Sequence, residues 1–180
     1  MDNLKAVLES LLFATEAPLT VDKIKSILET EDRKAVQDAL ASLAEEYEFQ
    51  KRGFLLSEVA GGYQIRTRPE YAHWVRRMRE AKPARLSQAA METLAIVAYK
   101  QPVLRTDIEH LRGVDSGGIL RTLLERGLVR VLGRKDLPGR PMVYGTTKRF
   151  LEFFDLKALS DLPTLKELQD IGKEWPNDST

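Results

Sequence analysis

The chain holds only two histidines, His73 and His110, and no cysteine, so its capacity for acid–base, nucleophilic or metal chemistry is small. The two imidazoles lie in different halves of the sequence, and a metal site would have to lean on scattered carboxylates. Neither sits in a recognisable nucleophile motif. Residues 133–141 are glycine-bearing and basic, yet they lack the spacing and the Lys-Ser/Thr step of a phosphate loop. Gly117-Gly118 could present free backbone N–H groups to an anion at a helix start, although a helix capped by Asp115 or Ser116 explains the pair more simply. These residues predict a protein that is not an enzyme and that uses no cofactor and no metal.

Charge offers the other chemistry. The total is 28 Lys+Arg against 27 Asp+Glu, a net +1, which argues against a protein that lives on bulk phosphate. The distribution is uneven: residues 1–80 carry 12 cations and 14 carboxylates, residues 81–156 carry 13 and 8, and the remainder 3 and 5. The second half is therefore mildly basic, and Arg134, Lys135 and Arg140 gather in one loop. That loop suits a protein partner, a loose contact with nucleic acid, or plain solvation.

Placing these groups requires elements, and the hydrophobic periodicity supplies them. Leu4, Val7, Leu8, Leu11 and Leu12 form one helical stripe, which Pro18 closes. Thr20 is positioned to cap a second helix bearing Ile24, Ile27 and Leu28, and Val36, Ala39, Leu40 and Leu43 define a third. From Phe54 the pattern changes: a run at 54–59, then Gly61-Gly62, then a run at 63–67 in which apolar and polar residues alternate, which together read as a hairpin. Tyr71, Trp74, Val75 and Met78 then predict a fourth helix packed on this module, ended by Lys82-Pro83.

The order then repeats. Ala14, Pro18, Leu19, Ile24 and Ile27 recur 84 positions later as Ala98, Pro102, Val103, Ile108 and Leu111. Val36 and Leu40 answer Ile119 and Leu123 at 83, and Ile65, Thr67 and Tyr71 answer Tyr144, Thr146 and Phe150 at 79. A drifting offset is what duplication leaves when loops change length and helices do not. In the second copy Ser87 caps the first helix, Thr106 and Glu109 read as a capping box, and Gly127 suits the stop of the third helix. Strands at 128–132 and 142–144 flank the basic loop, and Phe150, Leu151 and Phe154 close the module.

The expected fold is mainly α, in the α+β class, built as tandem winged-helix domains of three helices plus a β-hairpin wing each. Residues 1–82 make the N-terminal domain, 83–156 the C-terminal domain, and 157–180 a partly disordered tail. In a winged helix the third helix can read DNA. In the first module that helix carries Asp32, Asp38, Glu45 and Glu46 against Arg33 and Lys34, which repels phosphate. Arg121 and Arg126 in the second are set against Asp115 and Glu125. Sequence-specific reading of bases is not expected, while weak non-specific contact through the second wing is compatible with the charges. No apolar run nears the roughly 20 residues of a membrane span, and the start lacks the features of a signal peptide, so the cytoplasm is the expected compartment.

Five strings carry a resemblance: LESLLFA from Leu8, GGYQIRTRPEY from Gly61, ETLAIVAY from Glu92, LRTLLERGL from Leu120 and GRKDLPGRP from Gly133. In this order, from about Leu8 to Leu165, the chain resembles the bacterial segregation and condensation protein B family, ScpB. The resemblance implies a non-catalytic accessory subunit of the bacterial condensin, associated with the nucleoid and acting in chromosome condensation and partition at cell division. Such proteins have two winged-helix domains, form homodimers through the N-terminal one, and bind the kleisin ScpA, which closes the ATPase heads of Smc. ATP chemistry then belongs to Smc. We expect Leu4, Leu8 and Leu12 at the dimer contact, and Tyr99, Gln101, Arg105, Arg121, Arg134, Lys135 and Arg140 at the kleisin. The rival reading is a tandem winged-helix transcription regulator.

Overall fold

The structure, a computed structural model, describes residues 3–78, 85–164 and 167. The expected boundary at Lys82-Pro83 lies outside those residues, as does most of the tail. Two separate hydrophobic cores are present, one on each side of that boundary.

The first core forms where three amphipathic helices meet a hairpin: α1 (Leu4–Ala14), α2 (Val21–Leu28) and α3 (Arg33–Phe49), with β1 (Phe54–Val59) and β2 (Gly62–Thr67). Leu8, Leu12, Ile24, Val36 and Leu40 are buried at its centre. Thr20 caps α2 by accepting the Lys23 N–H, and Asp32 caps α3 by accepting that of Ala35. The strands run antiparallel from Phe54 opposite Thr67 to Val59 opposite Gly62. Ala60 and Gly61 turn the hairpin at φ 51° and 75°, the left-handed geometry that two-residue hairpin turns require. Leu19 and Tyr63 exchange two backbone hydrogen bonds of 2.9 Å, which fastens the wing to the segment ahead of α2.

A 3-10 turn (Pro69–Tyr71) and α4 (Ala72–Met78) follow. The sequence predicts that this helix packs on the module, and here the structure differs. Among the described residues α4 buries none, leaving Trp74 59% and Met78 76% exposed.

The second copy comprises α5 (Gln88–Lys100), β3 (Val103–Leu104), α6 (Arg105–Arg112), α7 (Gly117–Glu125), β4 (Val129–Arg134), β5 (Met142–Thr146) and α8 (Lys148–Phe153). Its sheet has three strands in the order β3-β5-β4, all antiparallel, with a bulge between Val131 and Gly133. The two-residue β3 was not legible in the sequence. Ser87 caps α5 as expected, and Gly127 takes φ 67° after α7. The expected Thr106/Glu109 capping box is not formed. Helix α6 starts two residues earlier, and the Asp107 carboxylate accepts the Leu104 N–H at 3.3 Å. Glu109 is drawn away to Arg105 and to the Ser116 N–H.

Candidate docking surfaces

The residues expected to meet a partner divide into those the fold uses internally and those it leaves outside. Leu8 and Leu12 are fully enclosed in the first core, and Leu4 packs against it. Leu8 and Leu12 hold the domain together and, being enclosed, cannot form a dimer contact directly, while Leu4 stays half-buried at the edge. Toward solvent α1 shows Phe13, 84% exposed, and Val7, 40% exposed.

Phe13 stands at the mouth of an apolar groove of about 470 Å³ between α1 and the wing, lined also by Ser10, Tyr47, Phe54 and Ile65. Tyr47 forms its floor. Its ring meets Phe54 edge-on at 4.9 Å and its hydroxyl donates to Glu9 at 2.7 Å. Burial, then the Glu9 carboxylate, push the Tyr47 phenol above its ordinary pKa, so the hydroxyl stays a donor.

In the second domain a groove of about 430 Å³ opens between α5, α8 and the strap around the 3-10 turn Leu159–Asp161. Met91, Ala95 and Tyr99 lie along one side at spacing i, i+4, i+8, with Phe150, Phe154 and Leu162 opposite. The Tyr99 hydroxyl donates to the Pro163 carbonyl at 2.7 Å, which ties the strap down while one edge of the ring remains exposed. Tyr99 is thus at a groove, as a docking residue must be.

Gln101, Arg105 and Arg121 are otherwise engaged. The Gln101 carbonyl accepts the Thr146 N–H at 2.8 Å and its amide donates to Ala98 O at 3.1 Å, so the side chain joins the end of α5 to β5. Arg105 donates to Glu109 at 2.6 Å and to Asp115 at 2.5 Å, pinning the α6–α7 turn. Arg121 pairs with Glu125 at 3.0 Å along α7. As for the start of α7, Asp115 accepts the Gly117 N–H at 3.1 Å, while Ser116 makes no side-chain cap. The Arg105 guanidinium fills the space beside Gly117, where an added Cβ would come within 2.7 Å of it. By contrast Arg134, Lys135 and Arg140 are exposed on the second wing.

The two wings are used differently. The first leans on the chain after α8: Arg66 donates to Asp155 at 2.7 Å and to Glu152 O at 3.1 Å, the Ala60 N–H donates to Leu156 O, and Glu58 pairs with Lys157. Sequence reasoning missed these contacts, because pairs 86 or more positions apart leave no local pattern. Trp74 was found but assigned to the core, since periodicity reports an apolar face and not what covers it.

Two domains of three helices and a β-hairpin each, with apolar grooves between their elements, define a tandem winged-helix protein. Comparison with known proteins makes the class specific. The family model described as "Segregation and condensation complex subunit ScpB" matches residues 6–165, and the chain belongs to this family. Segregation and condensation protein B of Syntrophotalea carbinolica is 54% identical over 171 residues, which cover 95% of this chain and 86% of that protein. The protein of that name in Moorella thermoacetica is 48% identical, covering 93% and 85%. Among solved structures, a dimer of an ScpB N-terminal domain complexed with an ScpA peptide matches 43% of this chain and 95% of its own, at 26% identity and a TM-score of 0.40. No helix among the described residues is long and apolar enough to cross a membrane.

Proposed function

We propose that this protein is the non-catalytic ScpB subunit of a bacterial Smc–ScpA–ScpB complex, working in the cytoplasm on the nucleoid in chromosome condensation and partition. It acts as a homodimer that holds the kleisin ScpA. The observation that carries this reading is the pair of open apolar grooves on a chain of this family: both are shaped for polypeptide side chains, and neither third helix is free to read bases. Residues 1–82 supply the dimer contact through the uncovered face of α4 and through Phe13, which replace Leu4, Leu8 and Leu12 in that role. A small domain that leaves Tyr71, Trp74 and Met78 outside its core gains buried area when a second copy covers them.

Residues 83–156 receive a kleisin helix along Met91, Ala95 and Tyr99. Two protomers then offer two such grooves, and linkage raises the effective concentration of weak contacts, so that modest sites give firm attachment. The test is calorimetry with ScpA beside sedimentation of the free protein. M91E/Y99E should lose kleisin binding at least tenfold while remaining dimeric, and W74E/M78E should become monomeric. Undiminished kleisin binding by M91E/Y99E, or a dimer that survives W74E/M78E, overturns the corresponding contact. The transcription-regulator reading predicts tight binding to one operator sequence, and no observation on α3 or α7 favours it.

A further inference from the structure

We infer that the second wing is a sequence-independent contact for the phosphate backbone of duplex DNA, a role separate from kleisin docking. Six cations, Arg130, Arg134, Lys135, Arg140, Lys148 and Arg149, lie exposed on β4, the wing loop and the first residues of α8. Between residues 126 and 149 the sequence supplies one carboxylate, Asp136. None of the six forms an ion pair among the described residues, whereas Arg66 and Arg68 of the first wing both do, and Glu58 there is paired with Lys157. The same hairpin is neutralised in one domain and left charged in the other.

The loop that bears the charges is also ordered by its own backbone. The Lys135 N–H donates to Pro141 O at 2.9 Å, the Arg140 N–H to Leu137 O at 2.8 Å, and the Arg134 guanidinium to Arg140 O at 3.2 Å. Charges held on a fixed loop lose less freedom on binding than charges on a mobile tip. Along β4 the bulge after Val131 sets Arg130 opposite Gly145 and Arg134 opposite Met142, so the two guanidinium groups leave opposite faces of the hairpin.

Four of the six are arginines, whose planar fork matches phosphate oxygens. A concavity of about 450 Å³ at the root of the wing, lined by Arg130, Thr146, Thr147 and Lys148, extends the cationic surface to α8. Base reading is not part of the proposal: on α7 the exposed Arg121 is matched by Glu125, whereas the wing cations have no carboxylate beside them among the described ion pairs. The backbone is what remains to be bound, and the net charge of +1 keeps the attraction local to this patch.

Fluorescence anisotropy of a labelled mixed-sequence duplex, titrated with the full chain across a range of salt concentrations, tests the inference. Binding should saturate at low salt, be equal for two unrelated sequences and weaken steeply with salt. R134E/K135E/R140E should bind at least tenfold more weakly, with a log–log salt slope shallower by about 2.7 for three lost phosphate contacts. R134Q/K135Q/R140Q should move the same way by a smaller amount, and K23E/K34E in the first domain should change neither quantity. Both wing variants should keep full kleisin affinity, which separates this contact from the kleisin groove. The inference is overturned if no duplex binds at low salt, if the wing variants bind unchanged, if one sequence is strongly preferred, or if poly-glutamate is bound more tightly than DNA.

Discussion

The two domains carry one pattern, yet they finish differently. After the wing, the second domain folds α8 back over its core and buries Phe150, only 3% exposed. The first domain sends α4 outward and leaves Tyr71, 79 positions earlier, 41% exposed. Both links are anchored to the turn after the third helix. Thr147 donates to Gly127 O and caps α8 by accepting the Phe150 N–H, while Arg68 donates to Arg52 O and pairs with Glu48. What separates them is the helix that follows. Phe150, Leu151 and Phe154 belong to or pack on the second core, but among the described residues α4 buries none of its side chains and leaves Trp74 exposed. The second domain thus closes its core with the helix after the wing, whereas the first leaves that helix as surface that suits another chain.

The sharpest test of two independent cores is to damage each in turn. Leu123→Ala and Leu40→Ala remove buried side chains of equal size, and each should cost about 3 kcal/mol in its own domain. Hydrogen exchange should report loss of protection confined to the mutated half. Equal loss in both halves would mean that the chain unfolds as one unit.

Smaller effects follow from glycines whose surroundings differ. A Cβ on Gly62 would lie 2.9 Å from the Leu19 carbonyl carbon, main chain that cannot yield, whereas one on Gly117 would meet the movable Arg105 head. Gly62→Ala should cost about 2 kcal/mol and Gly117→Ala much less, read as shifts in denaturant midpoint.

Alkaline pH should then act on the first domain through Tyr47. Its phenol holds a proton more tightly folded than unfolded, so its contribution is intact below the unfolded value of about 10 and declines as pH rises past it. Tyr47→Phe should flatten that decline and lose about 1 kcal/mol at neutral pH with the Glu9 hydrogen bond. An unaltered alkaline profile in the variant would assign the decline to other groups.

The smallest change in stability belongs to Arg66→Ala, about 0–1 kcal/mol because its partner Asp155 stays 67% exposed. Its effect should appear in the disposition of the domains, as a larger radius of gyration in solution scattering. A scattering curve identical to that of the parent would show that the remaining contacts, Ala60 with Leu156 and Glu58 with Lys157, suffice to hold the first wing in place.

Helices, hairpins and their repetition were legible because each depends on neighbours three, four or two positions away. Capping was legible at Thr20 and Ser87 for the same reason, and misplaced at Thr106 because Glu109 is taken by Arg105 on its own helix and by the Ser116 N–H across the turn. Leu8 and Leu12 were correctly placed on an apolar face, but the pattern does not distinguish a core from an interface. Nothing local marks Gln101, expected at the kleisin, as a brace; the approach of β5 gives it that role.

By itself the sequence determined the duplicated winged-helix order, the family and the excess of cations in the second half, since local periodicity and composition are properties of the chain. Tertiary structure alone decided which faces are used up. It enclosed the leucine stripe, paired the first wing, and left the second wing, Phe13 and α4 outside. Whether a side chain is covered or neutralised depends on groups brought close by folding from anywhere along the chain.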